Sequence, residues 1–141
     1  MLDSYIMDTP LCLAVKGSHI RAVRLLLEAG ANADVKVKIE HCRLSLLRVA
    51  AMDGQLTIVK LLIAAGANVN ETCCWKSPIC CAARKGYIRI VEELISAGAN
   101  VNIMGGKFNE VVESAYLYPE IVELLRQHGA TGETRVNHKN E

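Results

Sequence analysis

Apolar and polar positions along this chain change period in a regular way. In "HIRAVRLLLEAG" (19–30), "QLTIVKLLIAAG" (55–66) and "YIRIVEELISAG" (87–98), Leu, Ile and Val recur three and four places apart. That spacing marks one face of a helix. Each stretch predicts an amphipathic helix closed by its glycine, which supplies the left-handed position just past a helix end. A shorter helix is predicted before each, opening at "TPLCLA" (9–14), "SLLRVA" (45–50) and "SPICCA" (77–82). Thr9, Ser45 and Ser77 are placed to accept a backbone N–H bond at the helix start, and Pro10 and Pro78 fit the first helical position, where no N–H partner is lost. These first helices should end near Gly17, Gly54 and Gly86. In "DVKVKIEH" (34–41), Val35, Val37 and Ile39 alternate with Lys36, Lys38 and Glu40. This is the period of a half-buried strand, and it predicts an elongated hairpin.

The same unit recurs. "LLLEAGANAD" (25–34), "LLIAAGANVN" (61–70), "ELISAGANVN" (93–102) and "ELLRQHGATG" (123–132) align on Gly30, Gly66, Gly98 and Gly129, spaced by 36, 32 and 31 residues. A period of this length predicts a solenoid. Ala14, Ala50 and Ala82 each stand sixteen residues before one of the first three glycines. The recurring "TPLCLA" and "GANVN" segments resemble the T-P-L-H-x-A signature and the G-A-N/D-V-N ending of ankyrin repeats. The resemblance covers about residues 5 to 130. It implies an all-α solenoid of about four helix-turn-helix repeats joined by β-hairpins, with repeats near 5–34, 41–70, 73–102 and 105–130 in a domain spanning 1–130.

Two departures stand out. In the first repeat Ser18 occupies the usual glycine slot, with Gly17 one place early. In the fourth, "FNEVVESAYLYPEIVELL" has no T-P-L-H-like element, Leu117 replaces the loop glycine and Pro119 opens the second helix. This unit reads as a C-terminal cap. Residues 131–141 are polar and aperiodic and are expected to form a disordered tail. Leu2, Tyr5, Ile6 and Met7 are expected either to cover the first end of the stack or to mark where another repeat docks.

Composition narrows the function classes. Of 141 residues, 51% are hydrophobic with one Trp and one Phe, which suits a core of Leu, Ile, Val and Ala. Sixteen basic and fifteen acidic residues give a net charge of +1. The total charge therefore points to neither nucleic acid nor an anionic membrane. The start lacks the pattern of a secretory signal, and no apolar run reaches the roughly 20 residues of a membrane span. The reading is a soluble, intracellular, cytoplasmic monomer whose cysteines are kept reduced.

"CCWKSPICC" (73–81) holds four of the six cysteines. Aligned on the repeat, Cys12 and Cys80 fall in the histidine slot of the signature and Cys81 in an apolar slot. Neighbouring helical residues diverge by about 100°, and zinc-type C-x-x-C spacing is absent. Cys73 and Cys74 belong to a hairpin beside Lys76, Arg84 and Lys85, where a redox-sensing thiol is an alternative to plain packing. Trp75, near the hairpin tip, is the leading single contact residue, because tryptophan is enriched among interface hot spots. Arg48 also stands in the histidine slot, suited to bonding hairpin backbone or a partner. The histidines at 19, 41, 128 and 138 are dispersed and suggest neither a metal cluster nor a catalytic pair. "GGK" (105–107) lacks the remainder of a phosphate-binding loop. Asn70 and Asn102 resemble ankyrin-repeat asparagines that an asparaginyl hydroxylase modifies, but a turn-stabilising role is the stronger reading.

The family resemblance implies that partners meet the face made from hairpin tips and first helices. On that face this chain places Lys16, Lys36, Lys38, Arg43, Lys76, Arg84, Lys85 and Lys107 against Glu40, Asp53 and Glu71, while Glu28, Glu92, Glu93, Glu113, Glu120 and Glu123 fall on second helices and cap. The expected function is non-catalytic protein binding, without cofactor or metal, to a partner carrying an acidic segment. The expected contacts are Lys36, Lys38, Arg43, Met52, Asp53, Trp75, Lys76, Arg84, Lys85 and Lys107. Two alternatives are the substrate-recruiting part of a larger adaptor, such as a ubiquitin ligase, and a redox-regulated binder acting through Cys73 and Cys74.

Overall fold

The computed structural model describes residues 9–39, 42–71, 76–105 and 108–132, so Trp75, Lys107, Cys73, Cys74, Glu40 and the N-terminal apolar residues lie outside the described set. Among the described residues eight helices follow one another in pairs: α1 (Pro10–Lys16) with α2 (Ile20–Glu28), α3 (Leu46–Met52) with α4 (Leu56–Ala64), α5 (Pro78–Lys85) with α6 (Ile88–Ser96), and α7 (Glu110–Ser114) with α8 (Pro119–Gln127). First helices pack on first helices along the series α1, α3, α5, α7, and second helices on second helices along α2, α4, α6, α8. This is the paired, stacked all-α solenoid that the periodicity predicts, with Pro119 opening α8.

The core explains the stacking. Leu11, Leu46, Leu47, Ile58, Leu62, Ile79, Ile90, Leu94, Ile121 and Leu125 are buried, each withdrawing enough apolar surface to contribute about 1.5–3 kcal/mol. Ala50, Ala51, Ala82 and Ala83 are also buried, so α3 and α5 meet through small side chains. The recurring alanine is therefore a close-approach position between first helices.

The helix ends follow the sequence with two corrections. Thr9 accepts from the Cys12 N–H at 3.2 Å and Ser45 from the Arg48 N–H at 3.1 Å. Ser77 stands at the N-cap of α5 but makes no side-chain cap bond; its hydroxyl donates to Cys80 Sγ at 3.4 Å instead. Thr9 makes both bonds, accepting from the Cys12 N–H and donating to Cys12 Sγ at 3.2 Å, so the thiol contact alone does not displace a cap. The fourth unit is corrected too. Asn109 holds the cap position of α7, accepting from the N–H groups of Val111 and Val112 at 2.9 and 3.4 Å, so an altered form of the opening element is present after all. Ser18 has φ +57°, the single non-glycine with positive φ among the described residues. The slot's left-handed conformation thus survives its change of residue. A Cβ on Gly17 would lie 2.5 Å from the present position of the exposed His19 ring.

The strand prediction also holds. β1 (Lys36–Ile39) pairs antiparallel with β2 (Cys42–Ser45), setting Val37 opposite Leu44 and Lys38 opposite Arg43. Val37 and Leu44 are buried while Lys38 and Arg43 are exposed. A two-residue pairing of β3 (Met104–Gly105) with β4 (Phe108–Asn109) leads into α7.

Consecutive turns are tied by an asparagine ladder. Within each turn, Asn32, Asn68 and Asn100 accept from the N–H two residues on, at 2.9–3.0 Å. Between turns, Asp34 accepts from Asn68 N at 2.8 Å and Asn70 from Asn100 N at 2.6 Å. Asn102 accepts from Thr131 N at 2.8 Å. Asn70 and Asn102 also donate, to the carbonyls of Gly98 and Gly129, at 3.0 and 2.9 Å. These asparagines are turn-to-turn fasteners, the structural role favoured from sequence.

Candidate protein-interaction face

Two sequence features position the charged side chains. The first helices bury one face on their neighbours, so the residues just before and at the end of α5 emerge on the opposite side. There, Lys76 precedes the buried Ser77-Pro78 start, and Arg84 and Lys85 close the helix before Gly86; all three cations are exposed. They line a cavity of about 310 Å³ together with Arg48 and Met52 from α3, Cys80 and Cys81 from α5, and Ser114 from α7. No lining residue among those described is acidic.

Arg48 differs from its neighbours in being almost wholly withdrawn from solvent, at 9% exposure. Its side chain forms part of the cavity wall contributed by α3. Cys80 is 2% exposed, and burial pushes its thiol above the ordinary value, partly offset by the Ser77 and Ser114 hydroxyls. It is held as the neutral thiol and contributes bulk, not nucleophilicity. Ser114 donates to the Glu110 carbonyl at 2.7 Å. Counting from the Asn109 cap, Ser114 occupies the place of Ala14, Ala50 and Ala82, a substitution that becomes visible once Asn109 is recognised as the cap.

A smaller hollow of about 190 Å³ continues along the same helices, lined by Lys16, Leu44, Val49, Met52 and Asp53. Met52 borders both. At the hairpin, Lys36, Lys38 and Arg43 surround a space of about 240 Å³ that also includes Asp34. Lys36 Nζ lies 2.5 Å from Glu71 Oε1, a charge contact between neighbouring repeats. The structure thus brings Met52, Lys76, Arg84 and Lys85 around one cavity and gathers Lys36, Lys38 and Arg43 in another, with Asp53 beside Met52. Asp34 and Glu71 lie among the hairpin cations, whereas no described residue lining the α5 cavity is acidic.

A mostly apolar groove of about 310 Å³ lies on the second-helix side, between Arg24, Leu27, Glu28, Leu61, Ala64 and Ala65. Lys60 and Glu93 approach to 3.6 Å on that same side. Among the described residues no three His, Cys, Asp or Glu side chains gather as a metal-binding group, and no helix is long and apolar enough to cross a membrane.

Comparison with protein families finds a match to a model described as ankyrin repeats in three copies, over residues 11–105 and 47–140. No curated protein matches the chain.

Proposed function

Because the chain belongs to the ankyrin repeat family, whose members are generally protein-interaction modules, we propose that it is a non-catalytic binder that receives an acidic segment of a partner protein on its first-helix face. The observation that carries this is the cavity over α3, α5 and α7, where Arg48, Lys76, Arg84 and Lys85 converge with no acidic residue on the described lining. Met52 supplies apolar contact beside them. Lys36, Lys38, Arg43 and Asp53 extend the surface toward the hairpin, and Trp75 and Lys107 belong to the same proposed contact set. The hairpin adds support: Lys38 and Arg43 stand directly opposite each other across the strands. Facing like charges destabilise a strand pair. Retaining them suits a surface that meets negative charge.

Charge of this kind speeds encounter and orients a partner, and its effect falls as salt screens it. Affinity capture with the wild type beside a Lys76→Glu, Arg84→Glu variant tests the face. The variant is expected to lose partner recovery by at least about tenfold, equivalent to about 1.4 kcal/mol, with its circular dichroism unchanged. Equal recovery by the folded variant would reject the assignment.

A further inference from the structure

We propose that the α3–α5–α7 cavity is specific for a phosphorylated side chain of the partner rather than for a carboxylate. This inference rests on the interaction-face reading above and sharpens it to a ligand chemistry. One carboxylate carries a single negative charge, against the three exposed cations Lys76, Arg84 and Lys85 that line the space. A phosphorylated Ser or Thr brings about −1.5 to −2 charges and three strong acceptor oxygens. That matches Lys76, Arg84 and Lys85, three exposed cations lining one space, with the buried Arg48 behind them. Arg84 can engage two oxygens at once through its planar fork, while the two ammonium groups act as mobile point charges.

The neighbouring groups make the site one-sided. Ser114 already donates its hydroxyl hydrogen to the Glu110 carbonyl, and Cys80 is a neutral buried thiol. The anion is therefore held from the α5 side, against the low-dielectric floor of Cys80 and Cys81, where charge-assisted bonds are stronger than in open water. About 310 Å³ accommodates one modified side chain, not a folded element. A nucleic-acid backbone would need a continuous basic stripe to follow its repeating phosphates. Here the further basic residues alternate with acidic ones, Lys16 with Asp53 in the adjoining hollow and the hairpin cations with Asp34 and Glu71, which favours an isolated phosphoryl group.

The test uses the full chain, labelled with ¹⁵N, at constant ionic strength. It is titrated with a blocked alanine pentapeptide whose central residue is phosphoserine, with the same peptide carrying Glu, and with oligothymidylate. The phosphopeptide should give saturable amide shifts confined to Lys76, Cys81, Arg84, Lys85 and their neighbours, with affinity at least tenfold above that of the Glu peptide. Arg84→Gln should abolish the response, and Lys60→Gln, on the second-helix side, should leave it intact. Equal binding of the Glu peptide at those amides overturns the phosphate preference and leaves the interaction face standing. Tighter binding of oligothymidylate through the same residues overturns the assignment of a protein ligand. Absence of localised shifts with every probe overturns the inference, and the interaction face is then judged by partner capture alone.

Discussion

Asn109 is completely buried and does more than cap α7. Its amide nitrogen has the Val101 carbonyl at 2.8 Å, the Thr131 carbonyl at 2.8 Å and Asn102 Oδ1 at 3.0 Å as acceptors, two N–H groups shared among the three, while its oxygen receives the first N–H groups of the helix. The reverse amide orientation would aim oxygen at three oxygens, so the surroundings fix it. Asn109→Ala removes the cap, costing about 1 kcal/mol, and leaves the buried Val101 carbonyl without this donor, costing about 1–3 kcal/mol more. Thr131 and Asn102 lie close enough to water to add little, so the expected loss is about 2–4 kcal/mol. Asn109→Asp separates the two roles. Aspartate is a good cap and suits the positive end of a helix, yet here its carboxylate would face three oxygens. Urea unfolding followed by far-UV circular dichroism at pH 7 should rank wild type above Ala and Ala above Asp. The aspartyl group's folded pKa would be raised, so its stability is present at low pH and lost as pH rises; the gap between Ala and Asp should narrow toward pH 4. An Asp variant as stable as wild type at pH 7 would show that the cap alone matters and refute the bridging role.

Asp34 holds the place of Asn70 and Asn102 but, as a carboxylate, cannot donate to the next turn's carbonyl. Asp34→Asn should therefore add about 0.5–1 kcal/mol in thermal or urea unfolding, and no gain would mean that the Gly66 carbonyl is as well served by water. Ser18→Gly should relieve a left-handed serine and stabilise by about 0.5–1 kcal/mol. Gly86→Ala should cost more than Gly66→Ala, because φ is positive at both but only Gly86 has a Tyr118 ring atom 2.5 Å from the site of the added carbon; equal melting points would deny the ring its role. The raised Cys80 pKa makes the folded state the stronger proton binder. Stability from this group is full below the unfolded thiol value near 8.5 and declines as pH rises past it, by up to about 1.4 kcal/mol per unit. Parallel melting curves of wild type and Cys80→Ala from pH 7.5 to 10 should diverge in that sense, and unchanged differences would contradict it.

What could be read from the sequence was what repeats along it. The three apolar stripes, the glycines after α2, α4 and α6, and the alternation in β1 each express a local rule, so helices and hairpin emerge directly. Ser18 was legible because alignment assigns it a conformation that its own chemistry disfavours. Asn109 was missed for the opposite reason: Asn for Ser/Thr and Val111 for Leu disguise the opening element, and its partners at Val101 and Thr131 lie far from the signature. Ser77 misled because the cap rule sees residue type, whereas the bond also needs the hydroxyl oxygen within reach of the helix N–H groups, and at Ser77 that bond is not made. The contact between Lys36 and Glu71 was hidden too. Lys36 and Glu71 are 35 positions apart, and only stacking brings one repeat's lysine against the next repeat's glutamate.

That same stacking makes the proposed site a property of the series and not of any one repeat. The cavity walls come from α3, α5 and α7, three successive first helices. No single unit contains the site, and its width is set by the spacing of each unit on the next. That spacing is held at the opposite ends of the repeats by the Asp34, Asn70 and Asn102 fasteners and at the last interface by Asn109. In a nearest-neighbour stack each interface contributes its own stability. The buried asparagine therefore bears on function without touching a ligand: it fixes α7, and α7 supplies the wall that faces Arg84 and Lys85.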